Sequence, residues 1–225
     1  MKTIDRTQKI DVEALKSQLA TLRTIPQRFK LPLSEQQAYD ALLAAYQTEV
    51  ANRQANFVSD PALEKNIAAM AKALTLTNPK FGIMLCGTCG NGKTTLLRAF
   101  QLLLNFLNGK GYFEQSTGIR IVDAKDISAL MREPHTKTVR NTPMLAIEDM
   151  GREATEVLDY GNVLSPVVDL LEYRYNEQLF TFITTNLNAK DVRQKYGARI
   201  ADRFNEMLCV IPFTASSFRG KNLNT

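Results

Sequence analysis

The sequence predicts an α/β protein: a five-stranded parallel sheet sandwiched by helices and preceded by a small all-α region. Three observations carry that prediction. Residues 1–75 show helical spacing and no strand-like alternation. From Phe81 onward, five short apolar runs alternate with helical segments, the pattern of strands joined by crossover helices. Between the first run and the next helix lies a glycine-rich turn, CGTCGNGKTT. The boundary falls at 75/76, with a helical region over 1–75 and the α/β domain over 76–225.

In the N-terminal region, Val12, Leu15, Leu19 and Leu22 recur at helical spacing. A second helix starts at Ser34, whose hydroxyl caps the chain while Gln37 reaches back. It carries Ala38, Leu42, Ala45 and Tyr46 on one face. Asp60-Pro61 signals a third start, a cap followed by proline at the first helical position, with the helix running to Leu74. The apolar runs FGIMLCG, GIRIVDA, MLAIEDMG, FTFITTN and LCVIPF then supply the strands. Helices are predicted over 93–108, 124–132, 162–178 and 198–208, and Gly109-Lys110-Gly111 reads as a helix stop.

Bulk properties narrow the class. The chain has 225 residues, 44% hydrophobic and 23% charged, the balance of an ordinary globular protein. Its 28 basic and 23 acidic side chains leave a net charge of +5. The excess gathers near the C-terminus at Lys190, Arg193, Lys195, Arg199, Arg203, Arg219 and Lys221, which is compatible with a polyanionic partner. Three cysteines make no disulfide framework, and the N-terminus has no signal-peptide core. The longest greasy run, TLLRAFQLLLNFLNG, is broken by Arg98, Gln101 and Asn105, so a buried helix is expected rather than a membrane span. The expectation is a cytoplasmic protein with no membrane partner.

Residues 86–95 admit two chemistries. Cys86 and Cys89 form a C-x-x-C pair, whereas Gly87, Thr88, Cys89, Gly90, Asn91, Gly92, Lys93 and Thr94 form a phosphate-binding loop. A zinc site takes about four ligands, and His135 and Cys209 make no second pair. The loop has the required order of strand, glycine turn and helix start. Glycines permit the unusual backbone angles, and main-chain N–H groups close around phosphates. Lys93 would reach the β and γ phosphates, Thr94 would ligate magnesium, and Thr95 continues the turn. The C-x-x-C is incidental, and the predicted ligand is ATP with Mg2+.

Further chemistry is expected at strand ends, where ligands sit in such sheets. MLAIEDM ends in Glu148 and Asp149, one to hold a magnesium water and the other to polarise the attacking water. FTFITTN places Asn186 at a strand tip to orient that water. Arg199 and Arg203 lie four apart on one helical face. A finger of this kind, projecting into a neighbouring subunit's nucleotide, is worth roughly 10³ to 10⁵ in rate.

The series GTCGNGKT, LAIEDMG, ITTNLN, YGARIADRFNEM and SSFRG resembles the DnaC-type AAA+ ATPases, which include bacterial helicase loaders and IstB-type transposition helpers. The resemblance covers residues 80–220 or so. It implies an AAA+ P-loop NTPase with no C-terminal lid domain. Lys93 and Thr94 then belong to the nucleotide loop, Glu148 and Asp149 are the magnesium and catalytic acids, and Asn186 is the first sensor. Arg203 is the arginine finger, Arg199 an interface residue, and Arg219 the family's terminal arginine. It implies a helicase loader in DNA replication, with a replicative helicase and single-stranded DNA as partners and an ATP-dependent homo-oligomer as the working form. The alternative is an IstB-like helper that binds duplex DNA and directs a transposase. A nucleotide-gated adaptor that scarcely hydrolyses is a third reading.

Two features depart from that family. Its acid pair runs Asp then Glu, whereas here Glu precedes Asp, which predicts slow hydrolysis. The segment DAKDISALMREPHTKTVRNTP leaves room for one helix and a loop where the family has two helices. Lys137 and Arg140 are substitute contacts for DNA. Tyr39, Tyr46 and Phe57 are candidates either for a helicase grip or for core.

Overall fold

The computed structural model describes residues 10–22, 27–132, 135–154, 156–159, 162–214 and 218. Helix α1 (Val12–Leu22) is capped by Asp11, whose carboxylate accepts the N–H groups of Glu13 and Ala14 at 3.0 and 3.1 Å. None of its residues is buried. Ile10, Val12, Leu15, Leu19 and Leu22 all stand exposed, so the apolar stripe packs against nothing among the described residues.

Helices α2 (Glu35–Asn52) and α3 (Pro61–Thr75) start where the sequence places them. Ser34 and Gln37 close a reciprocal capping box, and Asp60 accepts the N–H groups of Ala62 and Leu63. The buried face of α2 consists of Ala38, Leu42, Ala45 and Tyr46, the face read from the sequence. That face and the α3 residues Leu63, Ile67, Met70 and Leu74 share one hydrophobic cluster with the sheet. The helices before position 75 and the sheet after it thus pack against each other. Each such fully buried side chain stabilises the packing by roughly 2 kcal/mol.

The sheet is parallel, with strand order β2-β3-β6-β1-β7. Its strands are β1 (Gly82–Gly87), β2 (Arg120–Asp123), β3 (Met144–Met150), β6 (Phe180–Thr185) and β7 (Cys209–Phe213). Side chains alternate between the two faces. Ile83, Leu85, Met144 and Ala146 face α2, α3 and α4 (Lys93–Gly109). Met84, Leu145 and Ile147 face α5 (Ile127–Leu130), α7 (Pro166–Asn176) and α8 (Ala189–Met207). Gly111 follows α4 at φ 74°, the left-handed turn that stops the helix.

Three predicted elements differ. The helix expected over 162–178 begins only at Pro166, because 157–159 and 162–164 pair as an antiparallel hairpin, β4 (Val157–Asp159) and β5 (Asn162–Leu164). Strands of three residues are too short for a period-2 signal to register. The helix expected over 198–208 begins at Ala189, with Asn188 and Asp191 forming its capping box. Gly197, at φ 86° and ψ 162°, breaks it into two segments. The helix expected over 124–132 is a 3-10 turn (Ala124–Asp126) leading into α5, and a second short helix, α6 (Thr136–Arg140), follows where a loop was expected.

Among the described residues, no helix is long and apolar enough to cross a membrane.

Candidate functional site

Strand β1 delivers the chain to the C-terminal edge of the sheet between β6 and β7, where the glycine-rich turn begins. Gly87 adopts φ 147° and has no room for a side chain: a Cβ there would lie 2.2 Å from the Phe213 carbonyl oxygen. Gly90 and Gly92 also take positive φ, 81° and 95°. Gly92 is the left-handed N-cap of α4, and a Cβ on it would meet the Tyr46 hydroxyl at 2.4 Å. The turn thus curls tightly enough to aim backbone N–H groups and the positive end of a 17-residue helix into one concavity.

Lys93 occupies the middle of this turn at 5% exposure. Its ammonium donates to the carbonyls of Gly87 and Thr88 at 2.7 Å each, to Asn91 Oδ1 at 3.2 Å and to Asn186 Oδ1 at 3.0 Å. The last bond joins the loop to the tip of β6. Asn91, itself 1% exposed, spends its amide on the Phe213 carbonyl at 3.1 Å and so ties the loop to β7. Asn186 donates its amide to Cys89 Sγ at 3.2 Å. The predicted loop residues and Asn186 therefore meet as one network.

The acids are arranged less simply. Between β3 and β6 the register runs Ile147 to Ile183 and then Met150 to Thr185, so β3 carries one extra residue. Such a bulge re-aims side chains. Asp149 is at its heart with φ 55°, a left-handed angle uncommon for a non-glycine residue. Its N–H donates to Thr184 Oγ1 at 2.9 Å. The carboxylate turns to the cavity beside the loop and pairs with Arg152 at 2.7 Å. Glu148 faces α4 instead and pairs with Arg98 at 2.9 Å. Sequence reasoning put both acids in the site; the structure brings in Asp149 and gives Glu148 a partner on the loop helix.

These groups line a cavity of about 570 Å3, within the usual range for small-molecule sites. Its polar lining includes Arg53, Asn56, Lys93, Thr94, Thr95, Asp149, Arg152 and Asn186, and its apolar lining Val50, Phe57, Val58 and Leu63 beside Tyr46. Thr95 joins the two, accepting from Arg53 Nη1 at 3.4 Å and bonding the Tyr46 hydroxyl. Tyr46 and Phe57 meet edge to face at 6.2 Å, and burial pushes the Tyr46 phenol pKa up. These aromatics line the site, whereas Tyr39 packs against the core cluster. Phe218 also lines the cavity, and its N–H donates to the Gly90 carbonyl at 2.9 Å. Sequence reasoning missed this apolar wall, whose signal was only the aromatic run in the helical region and the phenylalanine beside Arg219. Arg219 itself lies outside the described residues.

A cavity lined by aromatic and aliphatic side chains together with Lys93, Arg152 and Arg53 suits a ligand with a planar apolar part and an anionic part. The Thr94 hydroxyl and Asp149 carboxylate are hard oxygen donors of the kind magnesium takes when phosphates and waters complete its shell. The cysteines are free, burial raises the Cys86 thiol pKa, and the described residues hold no group of three or more metal-ligating His, Cys, Asp or Glu side chains.

Arg199 and Arg203 are not on the cavity wall. Both pair with Glu172 of α7, at 3.2 and 2.9 Å, and Arg203 also lies 4.8 Å over the Tyr175 ring. Behind the acids, Glu153 is 5% exposed and accepts the Gly151 N–H at 2.8 Å and the Tyr196 hydroxyl. Lys195 donates to the Gly151 and Glu153 carbonyls at 2.6 and 2.7 Å. Sequence reasoning did not foresee this clamp between the end of β3 and the first segment of α8.

No protein-family profile matches the chain, and no curated protein matches it. Solved structures do. The crystal structure of the DnaC helicase loader is 23% identical over 70% of this chain and 93% of its own, with a TM-score of 0.53. The crystal structure of DnaI is 23% identical over 72% of this chain and 86% of its own, also at 0.53. A putative primosome component from Streptococcus pyogenes serotype M3 is 20% identical over 72% of this chain and 84% of its own, at 0.52. At these identities the likeness is one of fold.

Proposed function

From a chain with the fold of the DnaC-like AAA+ P-loop NTPases, we propose that this protein binds and hydrolyses ATP and acts as a loader for a replicative helicase on DNA. The observation that carries the reading is the phosphate loop at the junction of β1, β6 and β7, with Lys93 at its centre and Asp149 and Asn186 on the same cavity wall. The triphosphate lies along the loop, and the base lies between Tyr46, Val50 and Phe57. Lys93 exchanges its carbonyl partners for phosphate oxygens. Thr94 and Asp149 would hold a magnesium ion, which would supply positive charge to offset that of the phosphates; Glu148 would join them only by releasing Arg98. Asn186 orients the attacking water. Hydrolysis is slow, because with Glu148 engaged by Arg98 the Asp149 carboxylate serves both metal and water, and it is shorter than the glutamate the resembled family carries at its position.

Arg203 acts in trans, as a finger offered to the nucleotide of a second copy, with Arg199 at that interface. Of the two side chains the sequence offered for single-stranded DNA, Lys137 is exposed, and with exposed Lys125 and Arg132 it supports that contact, whereas Arg140 is half-buried with its guanidinium 5.6 Å over the Tyr173 ring. The exposed stripe of α1 supports a helical contact with the helicase.

An ATP-dependent pull-down from host lysate tests the reading, with wild type beside Lys93→Ala and the bound proteins identified by mass spectrometry. Recovery of the replicative helicase by wild type alone is the expected result. Recovery of a transposase, or of duplex DNA without helicase, retires the loader in favour of the transposition helper.

A further inference from the structure

The cavity wall beside the glycine-rich loop carries a cation that no motif in the sequence accounts for. Arg152 lies on the wall with Lys93, Asp149 and Asn186. Its Nη1 is 2.7 Å from Asp149 Oδ2, and its side chain is 52% exposed. The backbone that aims it is held on both sides. Gly151 adopts φ 111°, and a Cβ there would lie 2.8 Å from the Leu187 side chain, just past Asn186. The Gly151 N–H is bound by Glu153, and the carbonyls of Gly151 and Glu153 are bound by Lys195. A pinned backbone with a half-exposed guanidinium at the tip is a poor arrangement for stability, since an exposed ion pair contributes little. It is a good one for meeting an incoming anion.

We propose that Arg152 is a γ-phosphate-binding arginine supplied in cis, through which the site tells ATP from ADP. The inference rests on reading the cavity as an ATP site. The terminal phosphate must approach Asp149, and one divalent ion shared between that carboxylate and the triphosphate would offset only part of their combined negative charge. Arg152 neutralises that carboxylate through one N–H and has further donors in the same plane for phosphate oxygens. ADP does not extend to this wall of the cavity and gains nothing from the guanidinium. The role is separate from that of Arg203, which needs a second copy of the chain.

The test is equilibrium binding of mant-AMPPNP and mant-ADP, each with magnesium, to wild type, Arg152→Ala, Arg152→Lys and Lys93→Ala. Arg152→Ala is expected to weaken mant-AMPPNP about tenfold or more, the worth of one charge-assisted contact, while mant-ADP changes less than about twofold. Arg152→Lys is expected to restore part of the difference. Equal weakening of both nucleotides, or no change in either, overturns the proposal. If wild type binds both and Lys93→Ala binds neither, the ATP-site reading stands whatever Arg152 does. If wild type binds neither, that reading falls and takes this proposal with it.

Discussion

Arg174 shows how a single side chain can organise this fold. It is fully buried, yet no carboxylate is among its partners. Its guanidinium donates to Thr181 Oγ1 at 2.9 Å, to the Thr142 carbonyl at 2.7 Å and to the Phe180 carbonyl at 2.6 Å. Burial lowers its pKa to about 9, which leaves it charged at neutral pH. Arg174→Met is expected to cost about 3 kcal/mol or more in urea unfolding, because the buried acceptors lose their donors. The buried tyrosines set a pH limit. Burial first, and then the Glu153 carboxylate, raise the Tyr196 pKa above its ordinary value of 10.0, and burial raises that of Tyr46. The neutral phenol is favoured in the fold, so this stabilisation is complete below about pH 10 and is lost as pH rises toward the folded value. Tyr196→Phe is expected to flatten the fall of stability above pH 10 in alkaline unfolding curves.

Helices α2 and α1 make opposite expectations. Helix α2 is fixed by its capping box and its buried face. Ser34→Ala is expected to cost about 1 kcal/mol, measured by chemical denaturation. Helix α1 buries none of its residues, so Leu15→Ser with Leu19→Ser is expected to leave the melting temperature unchanged while abolishing recovery of the helicase in the pull-down. A large drop in melting temperature would mean that α1 packs on the body of the protein. Helix α8 is divided by Gly197 into two segments. The first is clamped behind Asp149 through Lys195 and Tyr196, and the second carries Arg199 and Arg203.

In the assembly proposed above, the residues for hydrolysis would be split between copies of the chain. Within one copy, Arg203 is 13% exposed and paired with Glu172, away from the nucleotide cavity. Arg203→Ala is therefore expected to bind nucleotide normally and lose roughly 10³-fold in turnover. Mixing it with Lys93→Ala is expected to restore part of the activity, because a mixed interface joins an intact loop to an intact finger. No recovery in a mixing titration would place Arg203 in a purely intramolecular role.

Much of this architecture was legible because its causes are local. The Ser34 and Asp60 starts, the five strand runs and the phosphate loop each depend on residues within a few positions of one another. Hydrogen-bonding reach and side-chain period act over that range. Of the boundaries that failed, the three-residue strands show no period, whereas the start of α8 did carry a local signal, the Asn188–Asp191 capping box, which the helix-breaking Gly197 obscured. The candidate site was half legible for the same reason. Lys93, Thr94, Asp149 and Asn186 lie in recognisable local patterns. The apolar wall of Tyr46, Val50 and Phe57 reaches the loop only because α2 shares a core with α4. The fates of the two acids rest on one extra residue in the β3–β6 register, which faces Glu148 to Arg98 and Asp149 to the cavity. A bulge is defined by the partner strand, and a packed wall by helices distant in sequence, so both arise only when the chain has folded.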